Sequence, residues 1–374
     1  MLRRAHIVVV LATVLTLSSG WAPTRFTPTR RTSVLSLSVL ASSFDTMGGV
    51  QEFEEWFTTS PGTSCRPSIQ HASFGSLRGL TFTEENGIKE NMHALTIQDK
   101  LVLSAPISDP NWDVQLAQQL WTECLKGRES DIHGYCALLM LGTLVDANSC
   151  PPSTAPNALR HWTDAQRQLL GKSVKGSRLL KYQKDQELQW KSKYASLQTS
   201  MTWQQFEWVM EVVHSRAFCG TFGNAPSLFV AAPLVAGAIG YTYWQNNPEP
   251  SDLLLFGLAI LGALPVLVTF ASPEQERAVL LPLIDSANHL ETADSSIEYS
   301  PLTREFTLNI GPKCLVEEEG GKTQLYISYG KKSDAELLNN YGFLPGIPCS
   351  DGVDEAAQDS QRRRLAEAYI QRNP

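Results

Sequence analysis

Leu281-Pro282-Leu283-Ile284-Asp285-Ser286-Ala287-Asn288-His289 opens the part of this chain that decides its fold, and Tyr326-Ile327-Ser328-Tyr329-Gly330-Lys331-Lys332-Ser333-Asp334-Ala335-Glu336-Leu337-Leu338-Asn339-Asn340-Tyr341-Gly342-Phe343 closes it. The first stretch is an apolar run that ends abruptly in Asp, Asn and His. Such a run buries its front half and presents polar side chains at its exit, where a ligand reaches them. The second stretch reads as an alternating strand, a short helix and a Tyr-Gly-Phe turn. Ser333 is placed to cap that helix, and Glu336 completes a capping box. Taken alone, a histidine such as His289 after an apolar run is more often a satisfied core residue, and Tyr329 has a structural alternative as a buried strand tyrosine that needs one hydrogen-bond partner.

Upstream lies Trp203-Gln204-Gln205-Phe206-Glu207-Trp208-Val209-Met210-Glu211-Val212-Val213-His214-Ser215-Arg216-Ala217-Phe218, a helix with a core-facing aromatic stripe. Arg216 stands near the apolar end of that helix and needs an anionic partner, either a ligand carboxylate or a structural salt bridge. The region from Asn111 to about Gln205 reads as helical. Thr163 caps a helix that ends at Gly171, and Val174 to Thr199 forms a mixed-charge helix. Before it, Phe53 to Phe57 ends a short amphipathic helix, and the chain turns strand-like from Ile69 to Phe74 and on to Phe82. Arg78-Gly79-Leu80 lies between these strands, where glycine permits close backbone approach to a ligand or simply makes a turn. Asp99 to Pro106 reads as a further strand, with Leu101, Leu103 and Ala105 alternating.

The bulk numbers narrow the function classes. A chain of 374 residues with 43% hydrophobic and 18% charged residues can bury a sizeable core. Net charge is −7, and no long basic run occurs in the body, which argues against nucleic acid as a partner. The seven cysteines form no C-x-x-C pair, so no metal site is expected and free thiols are preferred.

Together, Arg78-Gly79-Leu80, Ser215-Arg216-Ala217-Phe218, Asp285 with Asn288-His289, and Tyr329 with the Lys332 to Leu337 helix start and Tyr341 resemble SET-domain protein methyltransferases, in this order. The resemblance is above all to the plant Rubisco large-subunit lysine methyltransferase group, which includes the actin-histidine methyltransferase. It covers roughly Ser73 to Phe343. The Trp162 to Ser173 pattern matches that group's inserted helical subdomain. Two departures stand out: Glu90-Asn91-Met92-His93 where the family has a Gly-Glu pair, and Asp334 at the usual Asn.

The resemblance implies an α+β SET fold of short β-sheets with an inserted helical subdomain. It also implies S-adenosyl-L-methionine as cofactor and transfer of its methyl group to a lysine of a protein substrate, with histidine as the alternative acceptor. Tyr329 would be the catalytic tyrosine. Arg78, Gly79, Ser215, Arg216, Asp285, Asn288, His289, Tyr341 and Phe343 would form the cofactor side, with Tyr341 and Phe343 also walling the lysine channel. No Ser-His-Asp or Cys-His constellation competes with this. The plant group continues into a C-terminal helical lobe, whereas here Asp354 to Arg372 makes at most one helix. A membrane-anchored SET-like binding module with little activity is therefore a reading of another class.

Two segments stand outside the resemblance. Between Phe218 and Leu280 lie two apolar runs, Pro226 to Trp244 and Leu253 to Ala271, joined by a polar, proline-containing linker. Each is just long enough to cross about 30 Å of hydrocarbon. Small residues would let two such helices pack closely, and Tyr241, Tyr243 and Trp244 suit an interface. A two-helix membrane hairpin over 226–271 is expected, with a buried helical insertion as its alternative. At the N-terminus, Arg3 and Arg4 precede an apolar stretch and Ser18-Ser19-Gly20, as in a signal peptide. Trp21-Ala22-Pro23 and a basic segment free of acidic residues before Asp45 follow. This resembles the two-part plastid address of algae with complex plastids; simple secretion is the alternative.

The expected organisation is a signal peptide over 1–20, a transit-like segment over 21–43, and the first part of the catalytic domain over 44–110. A helical subdomain follows over 111–205, then the second part over 206–347 with its insertion, and a tail over 348–374.

Overall fold

The computed structural model describes residues 47–74, 77–84, 87–88, 90–142, 150–222, 275–300, 303–318, 321–348 and 355–373. The expected signal peptide, transit-like segment and membrane hairpin lie outside these residues. Among the described residues no helix is long and apolar enough to cross a membrane.

The chain is mixed α+β with several small sheets. In order it forms α1 (Met47–Thr59), β1 (Thr63–Cys65), β2 (Ile69–Phe74), β3 (Leu77–Phe82), β4 (Met92–Gln98) and β5 (Leu103–Pro106). Helices α2 (Trp112–Lys126), α3 (His133–Leu139), α4 (Asp164–Leu170), α5 (Val174–Ala195) and α6 (Trp203–Arg216) follow. Then come β6 (Phe218–Phe222), β7 (Gln275–Leu280), β8 (Asn288–His289), β9 (Ser295–Ser300), β10 (Glu305–Ile310), β11 (Leu315–Glu317) and β12 (Thr323–Ile327). The short α7 (Asp334–Glu336) runs into a π-helical turn, Leu337–Tyr341, and α8 (Glu355–Arg372) ends the chain.

Among the described residues the strands make three sheets. One has the order β1-β4-β10-β9, and another is β5-β7-β6. In the third, β11-β12-β3-β2, the short β8 joins β12 in parallel. Phe306, Leu308 and Ile310 alternate inward along β10, the period-two pattern of a half-buried strand. Ala278, Val279 and Leu280 of β7 are all buried because that strand is central, paired on both edges. Helix α6 begins with a capping box between Thr202 and Gln205 and buries Phe206, Val209, Met210 and Val213 at helical spacing.

Two hydrophobic cores result among the described residues. The larger joins α1, α2, α3 and α6 to the sheets. The smaller is built from Leu159, Trp162, Leu170, Leu179, Leu338, Leu344 and the α8 residues Leu365, Ala366 and Tyr369. The region expected as one helical subdomain therefore divides its packing: α2 and α3 lie on the main core, α4 and part of α5 on the second.

Local signals translated directly at several points. Thr163 and Gln166 form the capping box of α4, with Gly171 at its C-cap. Ser333 and Glu336 form that of α7. The strand expected over Asp99 to Pro106 is shorter than that reading. Asp99–Leu101 is a 3-10 turn, and pairing with β7 runs only from Leu103 to Pro106. The turn is pinned because Asp99 Oδ2 accepts from Arg304 Nε at 2.9 Å and from the Tyr299 hydroxyl at 3.2 Å. Leu101 is thereby tucked inside.

Candidate active site

The apolar run that follows β7 ends in a tight reversal. Leu283 takes φ +70°, a conformation rare for a residue with a side chain, and Ile284–Ser286 coils into a 3-10 turn. Backbone bonds from Asp285 N to Leu281 O and from Ser286 N to Leu283 O close it, at 3.1 and 3.0 Å. The reversal sends Asp285 into the interior, with its side chain fully buried.

A buried charge must be paired and hydrogen-bonded. Arg216, the last residue of α6, donates through Nη1 to the Asp285 carbonyl at 3.1 Å and to Oδ2 at 3.3 Å. The hydroxyl of Tyr135, on the wholly buried face of α3, donates to the same Oδ2 at 2.6 Å. Burial alone would lower the Arg216 pKa, but the Asp285 carboxylate raises it overall, so the guanidinium stays charged. Burial raises the Asp285 pKa, and Arg216 and Tyr135 offset this only in part. Arg78 shares the neighbourhood: burial pushes its guanidinium down to about 10, the Arg216 charge adds to that, and Asp285 opposes it. Arg78 Nη1, Arg216 Nε and Asp285 Oδ1 are buried without a hydrogen-bond partner among the described residues. Two cations thus face one carboxylate, which leaves a positive excess and unfilled donors.

The register of the third sheet assembles the next layer. β12 pairs antiparallel with β3 and parallel with β8, so Asn288 and His289 run beside Tyr326 and Ile327. Asn288 Nδ2 donates to the Arg78 carbonyl at 3.1 Å. A Cβ at Gly79 would lie 2.7 Å from Gln324 Nε2 and 2.8 Å from Asn288 Nδ2. Glycine leaves room here for two amide side chains that close on the backbone. The sequence reading offered close approach to a ligand or a turn; Gly79 instead lies within β3, paired with Ala72, and the contacts seen are with Asn288 and Gln324.

An aromatic wall stands next to this cluster. His289 stacks on Tyr329 with centroids 4.9 Å apart, and Tyr329 faces Tyr341 at 5.4 Å. Phe218 meets Tyr329 edge-on at 6.0 Å, and Phe343 meets Tyr341 edge-on at 6.1 Å. The Tyr329 hydroxyl donates to the Ala287 carbonyl at 2.7 Å, and its backbone N–H donates to His289 Nδ1 at 3.1 Å. That second bond assigns the neutral ring's proton to Nε2, and burial lowers the His289 pKa. Burial raises the Tyr329 phenol above its ordinary range, with Tyr341 adding to it, and pushes Tyr341 up to about 12.

A cavity of about 350 Å³ joins the two halves, lined among others by Arg216, Phe218, Asp285, Ser328, Tyr329 and Tyr341. Ser215 also lines it, although its hydroxyl back-bonds to the Glu211 carbonyl at 2.8 Å. Arg78, Gly79, Asn288 and His289 stand behind the lining, tied to it by the contacts above. A second cavity of about 300 Å³, beside Trp56, Arg128 and His133, has none of these residues in its walls.

Sequence reasoning missed Tyr135 and Gln324. Tyr135 had a usable signal, since a tyrosine on a fully buried helix face must find a partner for its hydroxyl. A cavity with a positive, donor-rich end and an aromatic end can hold a ligand carboxylate at one side and a flat or alkyl group at the other. Comparison with protein-family models and with curated proteins finds no match for this chain.

Proposed function

We propose that this chain is an S-adenosylmethionine-dependent protein methyltransferase of the SET type, with lysine as acceptor. The observation that carries the reading is a convergence. Arg216 and Asp285, at the ends of two distant segments, share one cavity with the aromatic pair Tyr329 and Tyr341.

The residues fit the cofactor. Its methionine carboxylate would answer the positive excess at Arg216, which lines the cavity, with Arg78 adding its charge from behind. Asn288 and the Arg78-Gly79 backbone would hold the same part, and Tyr341 and Phe343 would wall the remainder. When bound, S-adenosylmethionine supplies a methyl group on a sulfonium, ready for in-line displacement.

The chain's own groups do the rest. Tyr329 is no base: burial keeps its phenol protonated, and the proton is committed to the Ala287 carbonyl. Its oxygen lone pairs remain to orient an incoming amine. Walls of Phe218, Tyr329 and Tyr341 would desolvate an entering lysine ammonium and lower its pKa, so that it gives its proton to solvent water at the cavity mouth and the freed lone pair attacks. The proposed plastid and membrane setting rests on residues 1–43 and 226–271 alone.

Calorimetry with S-adenosylmethionine tests the cofactor claim. We expect micromolar binding, roughly −8 kcal/mol, and a loss of about tenfold or more in Arg216→Ala. A folded wild-type protein that binds no cofactor would contradict the reading.

A further inference from the structure

We propose that helix α8 is the positioning element for Tyr341: it fixes the aromatic wall of the cavity and leaves the charged end alone. What that wall does rests on the methyl-transfer reading; what holds it rests on geometry.

Tyr341 ends a π-helical turn, a rare arrangement that concentrates at functional sites. The turn is closed by Gly342 N donating to Leu337 O at 2.9 Å. Gly342 has φ +74°, and a Cβ there would strike the backbone of Asn157 and Ala158, so the exit of the turn is seated on that segment. Buried amides clamp its middle. Asn339 Nδ2 donates to Gln186 Oε1 at 3.0 Å and to Asn340 Oδ1 at 2.9 Å, and Gln186 Nε2 donates to Asn340 Oδ1 at 3.2 Å.

Helix α8 holds what remains. Leu365 and Tyr369 pack with Leu338 and Leu344, which flank Tyr341 and Phe343 in sequence. Arg372 donates to the Pro345 carbonyl at 2.5 Å, and the fully buried Gln361 donates to Pro348 O at 3.2 Å. Arg372 also lies 3.9 Å from the Asp334 carboxylate, at the start of α7. One helix therefore grips the 334–348 segment at both ends. It is anchored in turn to α4, where Gln166 donates to Asp359 at 2.7 Å, and to the Pro156 carbonyl through Arg362, also at 2.7 Å. Arg78, Arg216, Asp285 and Asn288 take no part in this second core. Loosening α8 should move Tyr341 relative to Tyr329 while the ion-pair cluster stays in place.

The test uses the full chain carrying Leu365→Ala with Tyr369→Ala, and a conservative pair, Leu365→Met with Tyr369→Phe. Hydrogen exchange of amides 337–344 should speed up by about tenfold in the first variant, with 278–289 unchanged. Because Tyr341 also walls the cofactor, affinity for S-adenosylhomocysteine by calorimetry should weaken by only about threefold to fivefold, while transfer of labelled methyl groups to a plastid extract falls by about tenfold to a hundredfold. The conservative pair should restore both exchange and transfer. Equal acceleration in the two segments would reveal mere global destabilisation and overturn the proposal, as would transfer at the wild-type rate. If the wild type binds no S-adenosylhomocysteine, the methyl-transfer reading fails, and the exchange contrast alone upholds or overturns the positioning role.

Discussion

Arg216 reaches two oxygens of Asp285 with a single nitrogen: Nη1 lies 3.1 Å from the main-chain carbonyl and 3.3 Å from Oδ2. The contact ties the end of α6 to the turn after β7, on either side of the 223–274 segment. Arg216→Ala would leave a buried carboxylate with Tyr135 as its one remaining side-chain donor among the described residues. Removing one partner of such a pair costs about 3–5 kcal/mol, and the melting temperature should fall accordingly. Adding Asp285→Asn to that variant should recover part of the loss, which calorimetric unfolding of the two proteins would reveal.

Tyr135→Phe asks a narrower question. It removes the 2.6 Å bond to Asp285 Oδ2 and nothing else of size. A buried acceptor left short of a donor costs about 1–3 kcal/mol. Cofactor affinity should drop less than in Arg216→Ala, since the guanidinium remains. Equal losses in both variants would mean that Arg216 acts only through the stability of the turn.

Two glycines should respond differently to alanine. At Gly79 the obstructing atoms are the far ends of Asn288 and Gln324, which can swing away. Gly79→Ala should fold with a loss of about 1–2 kcal/mol but break the bond from Asn288 to the Arg78 carbonyl and weaken cofactor binding. At Gly342 the obstruction is backbone, and φ is +74°. Gly342→Ala should cost about 4 kcal/mol or more, enough to deplete soluble protein, as expression and thermal melting would report.

Alkaline pH supplies a further prediction. Burial raises the phenol pKa of Tyr135, Tyr329 and Tyr341 above the ordinary 10.0, that of Tyr341 to about 12. Below pH 10 these phenols are neutral in both folded and unfolded chains, so their contribution to stability is fully present. Between 10 and 12 the unfolded chain ionises first, and stability is lost as pH climbs through the folded values. Absorbance at the tyrosinate band should show a late fraction that appears together with loss of near-ultraviolet circular dichroism. A single early tyrosinate step with the fold intact would contradict the burial of this wall.

What was legible in the sequence was local. The Thr163 cap and the capping box of Ser333 with Glu336 each act across three residues, so both could be read directly, although the return bond from Gln166 was not. The apolar run ending at Asp285 announced its buried front half, but not the reversal at Leu283 that turns Asp285 inward instead of presenting it at an exit. The partners of these residues were another matter. Tyr135 meets Asp285 across 150 residues, and Asp99 is held by Arg304 from 205 residues away. Periodicity carries no record of such pairings. Asp99–Leu101 was read as strand for that reason, and the side chains that crowd Gly79 became visible only when β12 was seen beside β3 and β8. The C-terminal segment could be given a single helix, but its grip on the Tyr341 turn depends on side chains from α4, α5 and the turn itself.

The central claim is tested most directly by transfer of labelled methyl groups from S-adenosylmethionine to a plastid extract, comparing wild type with Tyr329→Phe. Tyr329 lines the cavity, and its hydroxyl is held by the Ala287 carbonyl, so losing that oxygen should leave cofactor binding intact and remove the group that orients the acceptor. We predict transfer by the wild type onto lysine, identified by mass spectrometry of the product, and a drop of about a hundredfold in the variant. A wild-type protein that binds cofactor but transfers nothing, or a Tyr329→Phe protein that transfers at the wild-type rate, would contradict the account.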